Sequence, residues 1–254
     1  MDEGFAASDL TRDAMLGGAV VLCQPRLGYR AGSDPVLLAA ACNARSGQSV
    51  LELGCGAAPA LCCLGKRMPD LDLAGIEIQG AYAELARRNL AQNDLKGEIW
   101  TGDLAAPPSA MKARSFDHVI ANPPYFETGR GLAALDAGRD AGRAGALPLE
   151  AWVQIAARRL KPRGHALFII RSERLPELMA AMAAHLGGLE LLPLVPRPGR
   201  APRLVLLRGR KEGRAPFIFH PPCVLHPAGA HRDGAGNYTP QFQKIMNEGA
   251  ALAF

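Results

Sequence analysis

The segment Val50-Leu51-Glu52-Leu53-Gly54-Cys55-Gly56, followed by Ala57, Ala58 and Pro59, restricts the fold of this chain more than any other. An apolar strand runs into a turn of small residues, and Pro59 suits the first turn of a helix. Glycines at such a turn let the backbone approach a ligand closely, and the N-terminus of the helix offers unpaired N–H groups. The segment therefore predicts a strand, turn and helix unit with a ligand site at the turn.

From residue 48 onward, short apolar runs alternate with amphipathic ones, which is typical of an α/β domain with a mainly parallel sheet. We expect strands at 48–53, 72–78, 98–101, 116–121, 165–170, 189–195 and 204–207, and helices at 59–67, 81–92, 152–160 and 174–186. The last two strands are separated only by 196–202, so they are expected to lie side by side and antiparallel. The prediction is a Rossmann-like, seven-stranded, mostly parallel sheet flanked by helices.

The chain is expected to form a single domain, 1–254, with an N-terminal lead (1–47), a core (48–214) and a C-terminal extension (215–254). In the lead, Ser33-Asp34-Pro35 is predicted to supply an N-cap followed by a proline at the first helical position, in front of a helix over 36–42. Residues 127–147 have no clear period and are predicted to form a long loop. No run of apolar residues is long enough to suggest a membrane span.

Composition favours a folded chain over a disordered one, because 48% of the 254 residues are hydrophobic and 21% are charged. The net charge of +5 is uneven, at −3 in residues 1–125 and +8 in residues 126–254. The six cysteines have no framework spacing, and the first residues do not resemble a secretory signal. These features predict a reducing, cytoplasmic compartment.

Acidic residues lie at the ends of three successive predicted strands. Glu52 is the penultimate residue of the first strand, and Glu77 lies at the end of the second, in the register where an acid receives the ribose hydroxyls of a nucleotide. Asp103 follows the third and can accept a hydrogen bond from the amine of an adenine. A single acid at a strand end is usually solvated, but three at one edge of a sheet indicate a ligand. Ala57 and Ala58 stand where a dinucleotide fingerprint needs its last glycine, and Glu52 suits a charged amino-acid group, so S-adenosylmethionine is favoured over NAD.

Asn122-Pro123-Pro124-Tyr125 follows the predicted fourth strand. An aromatic amine is a poor nucleophile because its lone pair is delocalised into the ring. The Asn122 side-chain oxygen and the Pro123 carbonyl can accept both hydrogens of such an amine, while the prolines keep the carbonyl rigid. Tyr125 offers a face for base stacking, worth about 1–3 kcal/mol. The motif predicts methylation of a planar nitrogen.

Together, these motifs resemble the class I S-adenosylmethionine-dependent methyltransferases that methylate amino groups. The segments 24–34 and 237–240 resemble the bacterial tRNA (adenine-N6) methyltransferases, which modify the adenine beside the anticodon of a valine tRNA. The resemblance implies catalytic roles for Asn122, Pro123 and Tyr125. It implies cofactor binding by Tyr29, Asp34, Glu52, Gly54, Gly56, Glu77, Ile78, Asp103, Leu104 and Asn122. Many relatives have glycine in place of Ala58, so a displaced turn and weaker cofactor affinity are expected here.

Basic residues suggest the partner. Seven lie within 18 residues, at Arg197, Arg200, Arg203, Arg208, Arg210, Lys211 and Arg214, and Arg130, Arg139 and Arg143 follow the catalytic motif. Such residues suit the phosphate backbone of an RNA whose target base is already unstacked, although a solvated surface has the same composition. The predicted substrate is a tRNA, and the protein is expected to be a monomer or a homodimer.

Several alternatives stay open from the sequence. The catalytic motif also occurs in methyltransferases of protein glutamine, of DNA adenine and of rRNA guanine. Two other classes are an NAD-dependent oxidoreductase and an RNA-binding module without catalysis. His220, Cys223, His226 and His231 are ligand types for zinc, but their spacing fits no known zinc module, so no metal is predicted.

Overall fold

The structure is a computed structural model that describes residues 4–124, 147–229 and 237–254. Tyr125, Arg130, Arg139, Arg143 and His231 lie outside the described residues. The loop predicted at 127–147 also lies outside them, except for Leu147.

Eleven strands and seven α-helices are described, numbered here in chain order. The N-terminal part contains β1 (Leu10–Met15), β2 (Val20–Pro25) and α1 (Asp34–Ala41). The next part contains β3 (Ser49–Leu53), α2 (Pro59–Arg67), β4 (Asp72–Glu77), α3 (Gly80–Gln92), β5 (Gly97–Thr101), α4 (Ser109–Lys112) and β6 (Phe116–Ala121). The last part contains α5 (Leu149–Arg159), β7 (Leu160–Arg171), α6 (Leu175–His185), β8 (Gly187–Val195), β9 (Leu204–Arg210), β10 (Ile218–Phe219), β11 (Cys223–Val224) and α7 (Pro240–Glu248).

The main sheet has the strand order β10-β8-β9-β7-β6-β3-β4-β5, and β11 also pairs with β8. Strand β9 is antiparallel to β7 and to β8, as predicted for the last strand pair, and the other strand pairs of this sheet are parallel. The predicted α/β class is confirmed. The sheet has nine strands rather than seven, because β10 and β11 add two residues each along β8. Two residues are too few to show a period in the sequence.

Two local predictions are wrong. The predicted N-cap in Ser33-Asp34-Pro35 is not formed, because Asp34 already lies inside α1, and Ser33 before it has helical backbone (φ −75°, ψ −25°) with its hydroxyl donating to Asp34 Oδ1 at 3.3 Å. The helix therefore begins at Asp34. Strand β7 begins at Leu160, the predicted last residue of the preceding helix, and includes residues 161–164, which lie between the predicted helix 152–160 and the predicted strand 165–170. The irregularity there is local, with Arg163 at φ +65° and a register shift against β6.

The sheet separates two apolar layers, because side chains alternate between its faces along each strand. Val50 lies in one cluster with residues of α1, α2, α3 and α7, whereas Leu51 and Leu53 lie in the other with residues of α4, α5 and α6. Glu52 therefore points toward the layer of α2. Helix α7 is anchored in the first layer by Phe242 and Ile245, which are 1% and 0% exposed.

No helix in the described parts of the chain is long and apolar enough to cross a membrane. Within the same residues, no three His, Cys, Asp or Glu side chains are placed to hold a metal ion. His220 pairs with Glu190 at 2.9 Å, and the ring of His226 stacks on Tyr238 with centroids 5.0 Å apart.

Candidate active site

The predicted site residues meet where four neighbouring parallel strands end. Leu53 of β3 lies opposite Ile76 of β4 and Ala121 of β6, and Glu77 lies opposite Thr101 of β5. The strand ends therefore place the turn after β3, Glu77 with Ile78, the segment 102–104 and Asn122 at one edge of the sheet. Ligands of open α/β sheets bind at this edge.

The turn after β3 passes through left-handed backbone at Gly54 (φ +63°), Gly56 (φ +54°) and Ala58 (φ +59°). The N–H of Cys55 donates to the Ile76 carbonyl at 3.0 Å, which ties the turn to β4. A left-handed residue other than glycine costs about 1–2 kcal/mol, which explains why glycine suits the position of Ala58. The methyl group of Ala58 is completely buried, and this burial offsets about 0.8 kcal/mol of that cost.

The two glycines of the turn have different surroundings. A Cβ added at Gly54 would lie 2.7 Å from the Trp152 side chain of α5, so the missing side chain at Gly54 leaves room for this indole. A Cβ added at Gly56 would meet only the Tyr29 ring, at 4.0 Å. Gly54 therefore has a packing role that the sequence did not reveal, whereas Gly56 faces open space beside Tyr29.

We predict that alanine at Gly54 mainly lowers stability, whereas alanine at Gly56 mainly weakens cofactor binding. Gly54→Ala should destabilise the fold by about 2–4 kcal/mol, because backbone strain adds to the overlap with Trp152. Gly56→Ala should cost about 1–2 kcal/mol from strain alone but should weaken cofactor binding more than Gly54→Ala does. Urea unfolding and calorimetric titration of both variants test this. Equal losses of stability would contradict the assigned packing role of Gly54.

Glu52 is a buried acid with an unused oxygen. It is 3% exposed, and its Oε2 atom has no hydrogen-bond partner. Burial raises the pKa of Glu52 well above its usual value and the charge of Glu77 raises it further, while the Leu61 N–H lowers it. A buried carboxylate is costly unless a cation or a donor pairs with it. The unpartnered oxygen is therefore a fitting partner for a cationic group of a ligand.

Glu77 holds the turn after β3 and still has capacity for a ligand. Its Oε2 atom accepts the Gly56 N–H at 2.9 Å, and its Oε1 atom accepts the Gln79 N–H at 3.0 Å. Burial raises the pKa of Glu77 despite these bonds, which lower it. Each carboxylate oxygen can accept a second donor, so the hydroxyls of a ribose fit here.

Apolar and polar groups flank Glu77 along the same edge. Ile78 is 57% exposed, which is unusual for an isoleucine directly after a buried strand. Asp103 is exposed, and its Oδ1 atom accepts the Ala105 N–H at 2.8 Å, which holds the loop after β5. Leu104 beside it is buried. Together these residues offer an apolar surface with an acid at its end, which suits a purine base.

Tyr29 covers the turn at Gly56. Its backbone N–H donates to the Tyr82 hydroxyl at 2.9 Å, and that hydroxyl donates back to the Tyr29 carbonyl at 3.3 Å. Burial raises the pKa of Tyr29 to about 12, with further contributions from Asp34 and Glu52. Tyr29 is therefore a neutral phenol at physiological pH, held beside Gly56 by α3. Asp34 lies in the first turn of α1, near enough to act on Tyr29.

Asn89 is a structural residue of the site that the sequence did not assign. It is completely buried in α3, where it accepts the Cys23 N–H at 2.8 Å. Its amide donates to the Cys23 carbonyl at 3.0 Å and to the Ala57 carbonyl at 2.9 Å. One side chain thus joins β2, α3 and the turn after β3. The sequence does contain a hint of this role, because Asn89 is a polar residue on the otherwise apolar face of the amphipathic helix α3.

The predicted catalytic motif begins directly after β6. Asn122 is half-buried, Pro123 is buried and Pro124 is exposed, whereas Tyr125 lies outside the described residues. The Pro124 carbonyl accepts a hydrogen bond from Arg174 Nη1 at 3.1 Å, and Arg174 is paired with Glu177 at 3.0 Å. The sequence did not predict the contact with Arg174.

Comparisons with known proteins agree with this geometry. The model of the Methyltransferase small domain matches residues 31–193. The tRNA1(Val) (adenine(37)-N6)-methyltransferase of Porphyromonas gingivalis is 29% identical over an alignment of 236 residues that covers 87% of this chain and 89% of the relative. A protein of the same name from Haemophilus influenzae strain Rd is 24% identical over an alignment of 231 residues that covers 89% of this chain and 93% of the relative.

Solved structures support the same fold. A predicted O-methyltransferase from Agrobacterium tumefaciens has a TM-score of 0.70 at 27% identity, covering 87% of this chain and 99% of that chain. The 16S rRNA N2 G1207 methyltransferase of Thermus thermophilus, in complex with AdoMet and guanosine, has a TM-score of 0.56 at 20% identity. The match covers 80% of this chain and 50% of that chain. The predicted Rossmann-like fold and methyltransferase class are confirmed. Because its family model spans most of the sequence, the chain belongs to the Methyltransferase small domain family.

Proposed function

We propose that the protein is an S-adenosylmethionine-dependent methyltransferase acting on the N6 atom of an adenine in tRNA. The observation that carries the proposal is the position of Asn122-Pro123-Pro124 at the end of β6, next to the turn that joins Glu52 and Glu77. A site for the methyl donor and a site for an amine therefore lie side by side at one edge of the sheet. The family match removes the oxidoreductase alternative.

The side chains along this edge fit S-adenosylmethionine, which supplies a methyl group on a sulfonium. The unpartnered Oε2 atom of Glu52 suits the cationic ammonium of the amino-acid part. Glu77 can accept the ribose hydroxyls, and Asp103 can accept the adenine amine of the cofactor. Ile78 and Leu104 flank that base, and Tyr29 with Asp34 borders the pocket at Gly56.

The catalytic residues act by orienting the target amine. The Asn122 side-chain oxygen and the Pro123 carbonyl accept its two hydrogens, so the nitrogen lone pair points toward the methyl group. Most of the rate then comes from this in-line placement. No base of matched pKa is needed beforehand, because the nitrogen loses its proton after it has become cationic. Stacking of the target base on Tyr125 is a prediction that falls outside the described residues.

The tRNA substrate is supported by the curated relatives, whose names specify adenine 37 of tRNA1(Val). An adenine in a loop is already unstacked, so presenting it to the site costs less than extruding a paired base. The positive net charge of residues 126–254 suits an anionic partner. We also propose a cytoplasmic location, which follows from a tRNA substrate. The oligomeric state, monomer or homodimer, stays a prediction.

Methylation of total RNA and, in a parallel reaction, of total protein from a strain lacking the gene tests the proposal. With labelled S-adenosylmethionine, we expect label in N6-methyladenosine after digestion to nucleosides. A valine tRNA transcript with guanine in place of adenine 37 serves as the matched control and should accept no label. Label in a protein glutamine or in methylguanosine would replace the proposed substrate, and RNA binding without transfer would indicate a non-catalytic module.

A further inference from the structure

The basic run 197–214 is divided by the register of β9. Leu204, where β9 begins, lies opposite Arg171 at the carboxyl end of β7. Arg210, where β9 ends, lies opposite His165, six positions earlier on β7. At about 3.3 Å per residue, the two ends of β9 are about 20 Å apart along the sheet. The run therefore does not form one surface.

The first part of the run lies at the active-site edge. Arg200 and Arg203 are exposed in the turn between β8 and β9, on the same side of the sheet edge as the end of β6. Arg197 lies in this turn as well, but its guanidinium donates to the Gly229 carbonyl, which gives it a structural role.

Hydrogen bonds connect this turn to the catalytic motif. The Ser172 hydroxyl donates to the Pro202 carbonyl at 2.7 Å, and the Ser172 N–H donates to the Arg203 carbonyl at 3.0 Å. Two residues later, Arg174 donates to the Pro124 carbonyl at 3.1 Å. The backbone of the turn that carries Arg200 and Arg203 is thus connected to Pro124 through residues 172–174.

The rest of the run is directed elsewhere. Arg208 is buried in β9, where it pairs with Glu190 at 2.8 Å. Lys211 Nζ donates to the Leu160 carbonyl at 2.8 Å, and Arg210 Nε donates to the Arg163 carbonyl at 3.2 Å, both at the amino end of the parallel strands. Arg214 is exposed at that far edge.

We propose that Arg200 and Arg203, which we call the arginine rim, bind the phosphate backbone of the RNA beside the target adenine. This inference rests on the proposed function of the site. In the turns 171–174 and 196–203, which are fully described, Glu173 is the only acid, so the rim keeps a positive balance. Nonspecific phosphate contacts of this kind strengthen binding and position the substrate without reading its sequence. Arg210, Lys211 and Arg214 take no part in RNA binding.

Two double charge reversals of equal size test the arginine rim in the full-length protein. For Arg200→Glu with Arg203→Glu, we expect KM for tRNA to rise at least tenfold at 0.15 M KCl. The slope of log KM against log salt should fall by about one per lost phosphate contact. We expect kcat at saturating tRNA and S-adenosylmethionine affinity to stay within twofold. The control, Arg210→Glu with Arg214→Glu, should match the wild type in all four measurements.

The outcomes separate the two proposals. Equal losses in both variants would show a diffuse charge effect, and unchanged KM in both would show that RNA does not touch the rim; either result overturns the inference while tRNA methylation by the wild type stands. If the wild type transfers no methyl group to RNA, the proposed function fails and the inference fails with it. If the charge-reversed variant Arg200→Glu with Arg203→Glu does not fold, the neutral variant Arg200→Gln with Arg203→Gln replaces it. We expect this variant to give a smaller rise in KM.

Discussion

Asn122→Ala is expected to lower kcat for tRNA methylation by at least about 10²-fold, while S-adenosylmethionine still binds. The substitution removes an oxygen that accepts a hydrogen of the target amine, and loss of one preorganised partner of a reacting group typically costs 10²–10³ in rate. The end of β6 is also held by the backbone, because Ala121 pairs with Leu53 of β3. Single-turnover methyl transfer measures the rate, and calorimetry measures cofactor binding.

Asn122→Asp is the informative companion to the alanine variant. It keeps an oxygen at the same position but loses the amide hydrogens and adds a charge, so its rate should lie between those of wild type and Asn122→Ala. Turnover by Asn122→Ala within threefold of the wild type would remove the assigned role. Loss of folding in both variants, detected by circular dichroism, would mean that the Asn122 side chain has a structural role instead.

The parts of the fold that were predicted well are those with a local physical signal. Helix α2 begins at Pro59 and ends at Arg67 as predicted, because proline and the apolar period mark both its start and its course. Strand β6 also has its predicted bounds, Phe116–Ala121, since a short apolar run follows a polar turn. The site residues that follow β3, β4, β5 and β6 lie close together because neighbouring parallel strands end at one edge of the sheet.

The features that were missed depend on long-range contacts. The β1–β2 hairpin was not predicted. Its position is set by Asn89 and Gln92 of α3 and by Asn93 directly after the helix, which form hydrogen bonds with Val21 and Cys23 of β2. The fit of Trp152 over Gly54 joins residues almost one hundred positions apart. The division of the basic run follows from the register of β9 against β7, and composition carries no information on register.

Glu52→Gln is expected to stabilise the ligand-free protein while weakening its cofactor binding. The carboxyl of Glu52 is buried with one unpartnered oxygen, and its pKa is raised well above the usual value. Glutamine has nearly the same shape and carries no charge. Relief of an unpaired buried carboxylate is expected to raise the free energy of unfolding by about 1–3 kcal/mol at pH 8.

The stability difference between the wild type and Glu52→Gln should grow with pH. Below about pH 4.3, the usual glutamate pKa, Glu52 is protonated in both the folded and the unfolded chain, so the variant has little advantage. As the pH rises from there through the raised folded pKa, the unfolded chain releases the proton that the folded chain retains. Wild-type stability falls in this window by up to about 1.4 kcal/mol per pH unit, and Glu52→Gln escapes the loss. Urea unfolding of both proteins between pH 4.5 and 8 measures the difference.

Glu52→Gln should weaken cofactor binding although it raises stability. A cationic ammonium pairs with the ionised form of Glu52, so Glu52→Gln should weaken S-adenosylmethionine binding at least tenfold at pH 8. Glu84→Gln on the exposed side of α3 is the matched control and should change stability by less than about 0.5 kcal/mol without affecting affinity. A variant that is less stable than the wild type at pH 8 would show that the buried carboxylate serves the fold. A more stable variant with weaker binding would show that Glu52 is retained for its ligand, at a cost to the stability of the empty site.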